Sequence, residues 1–371
     1  MSCKHIKSCV FLFSTSAISI ASFSATAAPV VDGYTMDFGS TGGTIRLNGS
    51  GFTRGPDVAL YDNFDGRSPG GTVSLSDPIV GRWGSTSNNP RYVIESDGNG
   101  GFLARNFDLT SGGKLAQLQA LFDRPEREIF YSFSVKVPQG FHFSGASSPD
   151  EFSTQSSWKF SWLYSGQKGY GHDDGLFDVT VPTHVGSGNF AVAGNSGGLS
   201  YINNGREWWD WGSFNHFGYY MKISDDAETT DSIDWLLRIA SAKNNIVRGG
   251  DTPRSSYQGT DYQFDRLNFP GWWGNGSGEN FSAIYDNVYI AVGENANSRI
   301  VASDKENIDS STKVVTLPPN NWSDEQIELD FTLLPNWKEV YIHVVDSNGK
   351  FSDKGIRVCM ECPNPIFPSI K

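Results

Sequence analysis

Lys159, His184, Tyr220 and Lys222 have the side-chain types for proton transfer at a carboxylated sugar, and all four sit on or beside alternating stretches of sequence. β-Elimination from a uronic acid needs a cation or amide to neutralise the carboxylate, a base for the C5 proton and an acid for the leaving oxygen. Lys159 stands in Ser157-Trp-Lys-Phe-Ser-Trp-Leu-Tyr164. In an extended backbone Trp158, Phe160, Trp162 and Tyr164 share one face, and Ser157, Lys159 and Ser161 share the other. The aromatic face is expected to build core, and the lysine face to line a groove. From His216 onward, His216, Gly218, Tyr220 and Lys222 oppose Phe217, Tyr219, Met221 and Ile223. On the stretch from Leu176, Asp178, Thr180 and, past Pro182, His184 oppose Phe177, Val179 and Val181.

The expectation is that these polar faces meet in one groove. Lys159 and Lys222 would face the carboxylate, Tyr220 would act as acid or base, and His184 as base. Each residue also has a plain structural reading: a lysine stem lying over aromatic surface, a loop histidine, an exposed strand end. A one-residue slip would exchange Tyr220 for Tyr219.

Around these strands lie Trp208-Trp-Asp-Trp211 and Gly271-Trp-Trp-Gly274, in stretches rich in glycine and asparagine. Exposed faces of Trp208, Trp209, Trp272 and Trp273 would stack on sugar rings, with Arg206 nearby for a carboxylate or sulfate. The alternative is that the rings plug the ends of a sandwich. Hydrolysis of a glycoside calls for paired carboxylates, and Glu207 has no evident mate, so that chemistry ranks third. Asp62, Asp65, Asp286 and Asn287 would gather calcium-type oxygen ligands if their strands pair, although hydrogen-bonded strand ends account for them equally. No metal or other cofactor is assigned.

The elements that must hold these residues are strands. Ile129–Val137, Gly175–Val181, Phe217–Ile223, Ile233–Ala240 and Ala283–Ala291 are short alternating runs ending in turn residues, in a chain with 41 glycines and 13% aromatics. That pattern predicts an all-β protein, with a two-sheet jelly-roll sandwich as its main body. Only residues 114–122 have helical spacing, and a strand is equally open there.

The first residues read as an export signal, with Lys4 and Lys7 before the apolar run 10–21 and a small-residue cleavage site ending at Ala27. The expected location is therefore secreted or periplasmic. No stretch reaches the roughly 20 apolar residues of a spanning helix. Without the signal, 27 basic residues face 41 acidic ones, which argues against nucleic acid as a partner. The two cysteines left, Cys359 and Cys362, are expected to form a local disulfide.

Thr44-Ile-Arg-Leu-Asn-Gly-Ser-Gly-Phe52 resembles the second strand and bulge of the IPT/TIG immunoglobulin-like fold, and the stretches 321–331, 340–349 and 354–358 resemble its second half. Tyr61-Asp-Asn-Phe-Asp65 and Ile284-Tyr-Asp-Asn-Val-Tyr-Ile-Ala291 resemble the paired first and last strands of concanavalin A-like lectin/glucanase jelly rolls. Trp158-Lys159 and Tyr219-Tyr-Met-Lys222 resemble the palm strands of the polysaccharide-lyase branch of that fold. These resemblances imply a signal at 1–27, a discontinuous immunoglobulin-like sandwich at 28–60 and 311–358, an inserted jelly roll at 61–310 and a tail at 359–371. The function they imply is a secreted polysaccharide lyase acting on a uronic-acid glycan. A non-catalytic carbohydrate-binding or adhesion protein is the alternative.

Overall fold

The computed structural model describes residues 27–39, 42–87, 92–96, 102–107, 117–140, 148–150, 158–164, 175–181, 190–193, 199–202, 209–223, 232–253, 263–269, 272–273 and 282–358. The expected export signal up to residue 26, the Cys359/Cys362 pair, His184, Arg206, Glu207 and Trp208 lie outside these residues. Among the described residues the structure is all-β, with two short 3-10 turns and no α-helix. None of its helices is long and apolar enough to cross a membrane.

Two large antiparallel sheets face each other. The front sheet runs Leu199–Ile202, Phe190–Ala193, Gly175–Val181, Trp158–Tyr164, Phe264–Phe269, Gln117–Glu126 and Trp83–Ser87, with Trp272–Trp273 also paired to Trp158–Tyr164. The back sheet runs Asn245–Pro253, Ser232–Ala240, Asn215–Ile223, Glu128–Lys136, Ser282–Val292, Asp57–Asp62 and Val80–Gly81. Phe102–Phe107 joins it on Ser282–Val292, followed by Tyr92–Ser96. From Gln117 on, the stretch with helical spacing is a strand: Leu118, Ala120 and Phe122 face the core, and Leu121 faces away.

Alternation explains the core. In Asn215–Ile223, Phe217, Tyr219, Met221 and Ile223 are buried against the front sheet, and their partners on Glu128–Lys136 stand directly opposite. Phe217 opposes Phe133 and Tyr219 opposes Tyr131, and the rings stack at 5.3 Å and 4.9 Å. Such cross-strand aromatic pairs add about 0.5–1.5 kcal/mol each beyond their burial.

The chain ends build two further sheets. Val30–Gly39, Gly42–Ser50, Gln326–Asp330 and Asn321–Trp322 form one; Val314–Leu317, Arg299–Ser303, Val340–Val345 and Ile356–Val358 form the other. Ile45 and Leu47 pack with Ile327, Leu329, Ile300 and Ile342 in one core, which also takes in Tyr61, Phe130 and Tyr289 from the outer face of the back sheet. The small sandwich is therefore seated on the back of the large one. Arg299–Ser303 pairs on both sides within it, so the C-terminal segment begins before residue 311; Asp57–Asp62 belongs to the back sheet, so that sheet's first strand begins before residue 61.

Candidate functional site

The outer face of the front sheet is the surface whose side chains suit a sugar. Leu163, Leu267, Ala120, Phe269 and Leu118 point into the core. Their neighbours in register therefore face outward: Trp162 opposite Asn268, Tyr164 opposite Arg266, and on the next strand Gln119 opposite Asn268. Trp162 and Tyr164 stack at 5.3 Å with 17° between their planes. The Arg266 guanidinium sits 4.5 Å from the centre of the Tyr164 ring, and its Nε is 3.8 Å from Asp265. Gln119 Nε2 donates to Asn268 Oδ1 at 3.0 Å. Tyr164 and Asn268 are themselves buried, and Trp162, Arg266 and Gln119 are half-buried, so an aromatic pair, a cation over its tyrosine and two ordered amides form a floor whose chemistry suits a sugar ring bearing a carboxylate.

This arrangement reverses one expectation. Ser161 is fully buried, its Oγ 3.0 Å from the Tyr131 hydroxyl across the core, and Leu163 is core, so Trp162 and Tyr164 belong to the outer face. The reason is a bulge. Between Lys159 and Trp162 the strand advances three residues, while Gly175–Val181 advances two, from Thr180 to Asp178, and the strands on the other side advance four, from Trp272 to Asn268. An extra residue flips the pleat. The register consequently carries position 159 onto the same face as Trp162, and positions 178 and 180 with it. For Lys159, Trp272 and Trp273 the structure describes the backbone only.

Tyr220 and Lys222 are elsewhere. The alternation places them with His216 and Gly218 away from the core, yet their strand lies in the back sheet, and the outer face of that sheet is covered by the small sandwich. The expected convergence of Tyr220 and Lys222 with Lys159 does not form, because two sheets and the core between them separate the faces. Lys222 Nζ lies 3.6 Å from Glu128. Burial, then the Glu128 carboxylate, pushes the Tyr220 hydroxyl far above its ordinary value. Burial likewise raises Glu128. His216 donates to or accepts from Ser134 Oγ at 2.7 Å and is held down at about 4 by burial.

Trp209 also departs from its expected role. It is buried in the core beside Trp211, at 5.9 Å edge to face, and its carbonyl accepts from Lys243 Nζ at 2.7 Å. It closes the sandwich and presents no face to a ligand.

Asp62, one of the carboxylates considered for calcium, has other work. Asp62 is buried, receives both contacts from Arg67 at 2.8 Å, and accepts from Trp83 Nε1 and the Phe64 amide at 2.8 Å. Burial nevertheless raises its carboxyl against the pull of Arg67. Phe64 adopts φ of 59°, a left-handed conformation rare for a bulky residue, and Asp62 together with Arg67 over the Phe64 ring holds it there. No cluster of three metal-type ligands occurs among the described residues.

Arg266, Asn268 and Gln119 escaped the sequence reading because nothing local marks them; only strand pairing brings them beside Trp162 and Tyr164. Phe264, Leu267 and Phe269 are buried at spacings of three and two because the register shifts between Phe264 and Arg266, so strict alternation gave no signal there.

No family model matches the chain, and no curated protein matches it. Solved structures do. A variant of the alginate lyase Aly36B in complex with alginate trisaccharide shares 15% identity, covering 64% of this chain and 98% of that one, at a TM-score of 0.44. The marine PL-14 alginate lyase from Aplysia kurodai shares 8% identity over 61% of this chain and 100% of that one, at 0.41. Lectin II from Ulex europaeus shares 10% over 56% and 92%, at 0.34.

Proposed function

We propose that the protein is exported and binds an acidic, uronate-bearing polysaccharide on the outer face of the front sheet, and that it cleaves this glycan by β-elimination. The observation that carries the reading is the row of Trp162, Tyr164 and Arg266 beside Asn268 and Gln119. Stacking on the aromatic pair would orient the sugar, and Arg266 with the amides would neutralise its carboxylate, which acidifies the C5 proton. Tyr164 takes the proton-transfer role first considered for Tyr220. Lys159, by its register, and His184 are proposed as the remaining acid–base groups, and Arg206, Trp208, Trp272 and Trp273 as further sugar contacts. The small sandwich is read as an immunoglobulin-like module.

A second reading, glycan binding without cleavage, is favoured by one observation: Tyr220 and Lys222 stand on the back sheet, Tyr220 packed against the small sandwich and Lys222 beside Glu128, away from the outer face of the front sheet. Ultraviolet absorbance of the unsaturated uronate product, followed over alginate, glucuronan, hyaluronan, chondroitin and ulvan, separates the two. A rise that is lost in Tyr164→Phe supports the lyase. No rise on any of these glycans, with one of them retarding the protein in an affinity gel, supports binding alone. Neither signal on any of them rejects the proposal.

A further inference from the structure

The two sandwiches enclose a cavity of about 150 Å³. Arg299 from the small sandwich and Arg238 from the back sheet both line it, each with its guanidinium near the ring of Phe351, at 5.4 Å and 4.9 Å. Arg299 is buried, lies 4.1 Å from the centre of the Phe130 ring, and donates to the carbonyl and side-chain oxygen of Asn297. Among the described residues no carboxylate comes within 4 Å of it. Asp346, itself fully buried, acts on Arg299 from beyond contact distance; its Oδ1 accepts from the turn amides of Asn348 and Lys350, and its Oδ2 has no hydrogen-bond partner. Arg238 has a carboxylate in Asp309 at 3.0 Å, which is largely exposed. Of the two neighbouring guanidinium groups, only Arg238 is thus in contact with a carboxylate.

A second observation concerns the same cavity. Ser132 lines it, is more than nine-tenths buried, and its Oγ has no hydrogen-bond partner. A buried cation with no carboxylate in contact and a buried hydroxyl without an acceptor are each costly, and one ligand lowers both costs. The volume has room for about five waters at the liquid share of each. Leu236, Val247 and Val314 give the remaining wall an apolar character.

We propose that this cavity binds a compact singly charged anion, a small carboxylate or a halide, between Arg299, Arg238 and Ser132. The ligand would tie the small sandwich to the back sheet. The site is separate from the outer face of the front sheet, so its test does not depend on glycan binding.

Thermal unfolding of the full chain at fixed ionic strength, titrated with sodium propionate in one arm and sodium bromide in the other, reads the site. A saturable rise in Tm, on the order of 5 °C at a hundredfold excess over Kd, is expected in at least one arm, and the responding arm names the class. Arg299→Met should abolish that rise. If Arg299→Met does not fold, Ser132→Ala should weaken the anion dependence severalfold while leaving the protein folded. Crystals grown with bromide give an independent readout, an anomalous peak between the two arginines. A flat Tm in both arms together with an empty cavity in the bromide crystals overturns the proposal. So does an anion dependence that survives unchanged in Arg299→Met, or in Ser132→Ala where that variant is the one tested.

Discussion

Tyr131 and Ser161 meet hydroxyl to hydroxyl at 3.0 Å in the core, one from each large sheet. That contact sets the facing of the strand Trp158–Tyr164: Ser161 inward, Trp162 and Tyr164 outward. Substitutions report it directly. Ser161→Lys would bury an ammonium among aromatic rings and should abolish soluble, cooperative folding. Trp162→Lys, on the outer face, should leave the unfolding transition within about 1.5 kcal/mol of the wild type while removing glycan retention. Urea unfolding and an affinity gel check the pair.

Arg266 should discriminate between glycans by charge. Arg266→Met is expected to weaken retention on the acidic glycan about tenfold or more, since charge-assisted hydrogen bonds are worth about 1.5–3 kcal/mol. Retention of the wild type should fall as salt rises, and that of the variant should fall less. Binding isotherms at two ionic strengths decide this.

Tyr164 and Tyr220 should part company in turnover. Loss of a positioned proton-transfer group lowers rates by about 10²–10⁴, which is the expectation for Tyr164→Phe. Tyr220→Phe, beneath the small sandwich, should cut stability by about 1 kcal/mol through its lost bond to Glu128 and leave the elimination rate unchanged. Initial rates of product absorbance for the two variants give the comparison.

Acid should weaken the protein through two buried histidines. His216 and His343 are held near 4, each chiefly by burial, against an ordinary 6.5. Both states are neutral above 6.5. Below it the unfolded chain takes up protons that the folded one refuses, so stability falls between pH 6.5 and about 4, by up to about 3 kcal/mol per histidine. His216→Asn should flatten part of that slope in urea titrations across the window.

Asp62 and Arg67 form a buried pair that also supports the left-handed Phe64. Removing one partner of such a pair costs about 3–5 kcal/mol, so Asp62→Ala should lower Tm by more than any substitution proposed above on the outer face. Differential scanning calorimetry tests the ranking.

Alternation was legible wherever a strand is buried on one side only. Phe217, Tyr219, Met221 and Ile223 could be sorted from Gly218, Tyr220 and Lys222 by counting alone, and the strand obeys that count. What the count could not tell was what covers the second face. The cover over Tyr220 comes from strands at the chain ends, paired by contacts nearly the whole length of the sequence apart, such as Arg46 with Glu328. In Trp158–Tyr164 two things misled. Ring size suggested core, whereas large aromatic rings also serve as outward platforms; and one extra residue in the strand altered parity in a way that no local residue announces. Leucine spacing left helix and strand both open over residues 114–122, and the strand from residue 117 leaves Leu121 half exposed and outside the core.

The pairing of Gly42–Ser50 with Gln326–Asp330 also sets an order of events on the ribosome. The early strand emerges with its apolar side chains and must wait for its partner while almost the whole back and front sheets are made, tens of seconds at ordinary rates of synthesis. The large sandwich can close in that interval; the small one cannot. Any nascent chain cut short before residue 326 would carry Ile45 and Leu47 uncovered, and chaperones or proteases could recognise it as unfinished from that one strand.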